Sequence, residues 1–180
     1  MFKCILVALD GSTASNAGFK SALQLASDQQ ASLVALHVID DGAITVNFEG
    51  GYVPAAYVDR MYESLRESGR AILAKAETVA KAAGAEMKTV LVETRGHTIA
   101  HAILAQARKA KADLIVIGTH GRRGLSRLLM GSDAEAVVRE ARVPVMLVRM
   151  PERAAHKRAP VKKQPTASGS KRVVFPATVL

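Results

Sequence analysis

Short apolar runs alternate along the chain with longer stretches in which apolar positions recur every three or four residues. FKCILVAL (2–9), SLVALHVI (32–39), AEMKTVLVE (85–93), DLIVIG (113–118) and VPVMLVR (143–149) are the short runs. Rich in Val, Ile and Leu, they predict strands of a parallel sheet, buried on both faces. Between the first two, segment 14–30 places Ala17, Ala22, Leu25 and Ala26 on one helical face. Segment 54–83 spaces Val58, Met61, Leu65, Ile72, Ala76, Val79 and Ala83 by three, four or seven residues. That spacing predicts one long helix, with Pro54 in its first turn and a weak point at Gly69. TIAHAILAQARKA (98–110) predicts a helix capped by Thr98, and SDAEAVVREA (132–141) a short one. Strands alternating with helices predict an α/β fold: a doubly wound parallel sheet of five strands with helices on both faces.

Periodicity ends near residue 150. Residues 1–150 are thus expected to form one domain, and 151–180, rich in Pro, Lys, Ser and Ala, a basic and solvated tail. The charge follows the same division: seven of the 25 Lys and Arg but only one of the 16 Asp and Glu lie beyond residue 150. A whole-chain excess of +9 would suggest a nucleic-acid partner. Because the body is nearly balanced, that suggestion applies only to the tail. A single cysteine, Cys4, sits in an apolar run, which excludes an intrachain disulfide and points to a reducing compartment. No segment reaches the ~20 apolar residues of a membrane span. Cytoplasmic location without membrane contact is the expectation.

In a doubly wound sheet, ligands bind beyond the carboxyl ends of the strands where the strand order reverses. The loops there hold the unusual residues: Asp10-Gly11-Ser12 after the first strand, and GTHGRRGLSRLLMGS (118–132) after the fourth. Glycines at 118 and 121 either make a tight turn or let a ligand approach the backbone. Gly131-Ser132 opens a helix, where unpaired N–H groups, the helix dipole and a serine hydroxyl favour an anion. The spacing Gly-x2-Gly-x9-Gly-Ser is neither a P-loop nor a dinucleotide fingerprint.

Across about residues 1–150, VALDGS, ALHVID, DLIVIGTHGRRGLSRLLMGS and VPVMLVR, in this order, resemble the universal stress protein family. The resemblance implies the strand order 3-2-1-4-5 of the adenine nucleotide alpha hydrolase-like folds. In the ATP-binding branch it gives Asp10 and Val38 to the adenosine. Gly118, His120, Gly121, Gly131 and Ser132 go to the phosphates, and Ala8, Leu9 and Ile117 supply backbone and wall. It also implies ATP with Mg2+ as the ligand, and a homodimer in which the last strand (143–149) pairs with its copy across a two-fold axis.

Other residues carry weaker signals. Asp133 departs from the uncharged residue more usual in ATP-binding relatives; it either stabilises the first helical turn or faces a magnesium ion. Arg122, Arg123 and Arg127 can clamp phosphates or stay solvated. His97 and His101, four apart with Glu93 as a loose third ligand, have a spacing that binds metal but suit a surface equally well. No nucleophile and base stand out, so binding is favoured over turnover. The expected function is that of an ATP-binding, homodimeric stress-response regulator with an unknown protein partner. The alternative is a dimeric scaffold without nucleotide, its basic tail contacting a partner or nucleic acid.

Overall fold

The structure, a computed structural model, describes residues 1–42, 55–119 and 130–149. Five strands and four helices alternate: β1 (Cys4–Ala8), α1 (Thr13–Gln29), β2 (Ser32–Ile39), α2 (Ala55–Ala82), β3 (Met87–Glu93), α3 (Ile99–Ala110), β4 (Leu114–Gly118), α4 (Ser132–Glu140) and β5 (Val145–Val148). The strands form one sheet in the order β3-β2-β1-β4-β5. Every neighbouring pair is parallel. This is the expected doubly wound fold with the expected strand order. Pro54, the 120–129 segment and the tail lie outside the described residues.

Alternation along the strands divides the core in two. Ile5, Val7, Leu33, Ala35, Leu114 and Val116 pack with Phe19, Ala22 and Ala26 of α1 and Leu73, Ala76 and Ala80 of α2. Their neighbours Leu6, Val34, Leu36, Val38, Ile115 and Ile117 pack with Ile103, Leu104 and Ala107 of α3 and Ala134 and Val137 of α4. A sheet covered on both faces needs apolar residues at consecutive positions, hence the uninterrupted runs.

The helix faces agree with expectation at Ala22, Ala26 and Ala76, which are buried, and differ elsewhere. In α1 the buried positions are Ala14, Ser15, Gly18, Phe19, Ala22 and Ala26, while Ala17 and Leu25 are half-buried. In α2 they are Gly69, Leu73, Ala76 and Ala80, and Val79 is exposed. Gly69 is no weak point, since the helix runs unbroken through it. A Cβ there would stand 2.7 Å from both His37 Cδ2 and Leu91 Cδ1. The glycine lets α2 lie against the sheet, and that close approach outweighs its poor helix propensity.

Candidate functional site

Strand order reverses between β1 and β4: from β1 the chain proceeds to β2 on one side, while β4 lies on the other. At the carboxyl ends of these strands, Ala8 of β1 is paired with Leu36 of β2, Val38 follows two residues farther along β2, and Ile117 of β4 lies on the same face, the one that α3 and α4 cover. They form an apolar floor. Leu9 and Asp10 lead the chain out of β1 beside this floor, and α4 begins near its β4 end.

The exit from β1 is tightly built. Leu9 N–H donates to Leu36 O at 2.8 Å, extending the ladder one residue past the strand. Asp10 Oδ1 accepts from Ser12 N–H at 2.9 Å, an Asx turn. Gly11 takes φ +81 against Ile72, a conformation that favours glycine. Ser12 then caps α1 by accepting from Ser15 N–H at 3.1 Å. Ser15 Oγ donates back to Ser12 O at 3.1 Å and lies 3.4 Å from Asp10 N–H. One oxygen of Asp10 therefore shapes its own loop.

The exit from β4 returns on itself. Thr119 N–H donates to Val148 O at 2.9 Å, and Thr119 O accepts from Gly131 N–H at 2.9 Å. The chain thus leaves the sheet at Thr119 and comes back to the same place twelve residues later, at Gly131, to start α4. Gly131 is the N-cap of α4, with φ −63 and no side-chain cap. The nearest atom to a Cβ built there is Thr119 O, at 3.5 Å. Among the described residues, neither backbone conformation nor packing requires glycine at 131. Ser132, exposed, and Asp133, half-buried, form the first turn of α4 with Ala134.

Gly118 has a different explanation. A Cβ there would meet Ser15 N at 2.9 Å and Ala14 Cβ at 3.0 Å, so α1's first turn occupies the space. His120, Gly121 and the three arginines lie outside the described residues.

Glu93, considered as a metal ligand, is engaged by Arg66 at 2.7 Å. The rings of His97 and His101 lie against each other with centroids 4.5 Å apart, tilted by 32°. Among the described residues no three His, Cys, Asp or Glu side chains gather as metal ligands.

Two positions that the sequence did not single out organise the site. Buried Thr119 joins β5 to α4 through its backbone. His37, 3% exposed, lies 2.6 Å through Nδ1 from Leu9 O. One signal was available for it: a polar, ionisable residue in the otherwise apolar run SLVALHVI.

The model of the universal stress protein family matches residues 1–149. The universal stress protein YxiE of Bacillus subtilis is 34% identical over 151 residues, spanning 83% of this chain and 100% of the relative. The solved universal stress protein UspA from Lactobacillus plantarum superposes with a TM-score of 0.69 at 26% identity, covering 82% of this chain and 97% of that one. A universal stress protein crystallised in complex with cAMP has a TM-score of 0.60 at 27% identity, over 83% of this chain and 99% of its own. On a match that spans all five strands and four helices, the chain belongs to the universal stress protein family.

Proposed function

We propose that the crevice between the β1 and β4 exits binds ATP with Mg2+, and that the nucleotide state of a homodimeric stress regulator in the cytoplasm sets its surface for a protein partner. The hydrogen bond from Gly131 to Thr119 carries this reading. It brings the two ends of the glycine segment together at the amino end of α4, where, among the described residues, the nearest atom to a Cβ on the glycine would be Thr119 O at 3.5 Å. First-turn N–H groups and the helix dipole favour phosphate there, and Ser132 adds a hydroxyl. The floor of Ala8, Val38 and Ile117 offers an apolar surface to an adenine ring, and Leu9 and Asp10 border it. Gly118, His120 and Gly121 complete the phosphate side in this reading. The relative solved with cAMP supports an adenine nucleotide as ligand.

Equilibrium binding of ATP with Mg2+ to the wild-type chain and to Gly131→Arg tests it. The arginine side chain fills the space of the phosphates, so the variant should lose binding while remaining folded. Unchanged affinity would show that the ligand does not use this end of α4.

A second reading, the nucleotide-free dimeric scaffold whose basic tail contacts a partner or nucleic acid, draws on Gly118 and Asp10. The first is accounted for by α1 packing and the second by its own turn. Under this reading Gly131→Arg leaves cellular activity intact, and deletion of 151–180 removes it.

A further inference from the structure

We propose that His37 is a positioning residue for the nucleotide site: its ring, wedged between the Leu9 carbonyl and Gly69 of α2, holds the Asp10 turn in the form that receives the nucleoside. The inference rests on the nucleotide reading above and extends it to a residue outside the crevice.

The geometry fixes the ring's role. Leu9 O can only accept, so at 2.6 Å the ring nitrogen Nδ1 carries a proton and donates it. Leu9 is itself buried, and its N–H is held by Leu36 O. With both backbone groups bonded to β2, Leu9 is fixed relative to that strand. Asp10 follows directly and begins the Asx turn that winds into α1. The orientation of Asp10 is therefore set one residue upstream, by His37.

On the opposite side the ring has almost no clearance. A Cβ on Gly69 would come within 2.7 Å of Cδ2 and 3.3 Å of Nε2. The histidine can hold Leu9 only because α2 carries no side chain at that point, and displacement of α2 toward the sheet pushes the ring against the turn. The site is thereby coupled to a helix whose outer face is exposed, one route by which nucleotide and surface can influence each other.

Four chains test the proposal: wild type, His37→Asn, His37→Phe and Gly69→Ala. The Asn amide nitrogen reaches the place of Nδ1 and keeps the donor, whereas Phe keeps the bulk and loses it. Two quantities are read: affinity for ATP with Mg2+, and hydrogen exchange of the Asp10–Ser15 amides without nucleotide. His37→Phe and Gly69→Ala are expected to weaken ATP by about tenfold, the scale of one lost buried hydrogen bond, and to speed exchange in the turn. His37→Asn should stay within about threefold of wild type on the same scale. A folded His37→Phe with wild-type affinity and exchange overturns the proposal, as do equal losses in Asn and Phe. Absence of ATP binding in wild type overturns the nucleotide reading and this proposal's ligand role with it. Exchange in the turn then shows separately whether His37 orders Asp10.

Discussion

Gly118 and Gly131 bracket the same segment, yet their missing side chains have opposite explanations. At 118 a methyl group would press on the backbone of Ser15, and backbone yields less than a side chain tip. Gly118→Ala should therefore cost about 1–3 kcal/mol, read as a lower midpoint in urea unfolding. At 131 a methyl group meets only Thr119 O, at ordinary contact distance. Gly131→Ser supplies a capping hydroxyl and should leave stability within about 0.5 kcal/mol, while weakening nucleotide binding. The spacing of the glycines was legible in the sequence. Which of them serves packing was not, because the atom that forbids a Cβ at 118 belongs to a helix about a hundred residues earlier. Asp113 was read only as the first residue of a strand, and it does more. Its carboxylate accepts from Cys4 N–H at 3.0 Å and Lys3 N–H at 2.8 Å, and these bonds hold its pKa below the ordinary 3.8. A carboxyl with a lowered folded pKa stabilises fully above its unfolded value and loses that contribution as pH falls through the folded one. Asp113→Ala should thus be less stable than wild type by about 1 kcal/mol at neutral pH, a figure reduced for solvent exposure. The difference should shrink below about pH 4. A difference that stayed constant down to the acid transition would show that the fold holds the ionised carboxylate no better than the protonated one.

At the scale of elements, the apolar runs located every strand and matched β2 residue for residue, but overshot the other four ladders by a residue or more. FKCILVAL predicted 2–9 where β1 spans Cys4–Ala8, and VPVMLVR predicted 143–149 where β5 spans Val145–Val148. The extra residues are apolar because they also pack: Phe2, Leu9 and Val143 join the two core clusters. Helix ends were more legible, because a cap is a local device. Thr98 accepts from His101 N–H at 3.1 Å, as its position before the periodic stretch implied. Thr98→Ala and Ser12→Ala should each cost about 1 kcal/mol, the usual worth of an N-cap, measured by chemical denaturation. Ser12→Ala keeps the backbone N–H that donates to Asp10 Oδ1, so that bond of the Asp10 turn is retained. The buried faces of α1 and α2 were legible only in part: Ala22, Ala26 and Ala76 are buried as their spacing implied, whereas the small residues Ala14, Ser15, Gly18 and Gly69 went unread as buried positions. Gly18 and Gly69 approach the sheet more closely than a periodicity of large apolar side chains would reveal.

For the whole molecule, the unfinished edge of the sheet matters most. β5 is an end strand, and Met146 and Leu147 on its two faces are each 38% exposed. An apolar end strand invites pairing with another strand, which supports the proposed two-fold dimer. Met146→Glu combined with Leu147→Lys should shift the chain from dimer to monomer in sedimentation at micromolar concentration; a wild-type chain that sediments as a monomer would remove the dimer from the account. No helix among the described residues is long and apolar enough to cross a membrane. Calorimetric titration of nucleotide-free wild-type protein with ATP and Mg2+ at physiological salt measures the equilibrium on which the proposed function depends. Saturable binding of one nucleotide per chain, abolished by Gly131→Arg, is the expected result. Titration without heat, in protein that mass spectrometry shows to carry no nucleotide, would contradict it and leave the glycine segment as a turn.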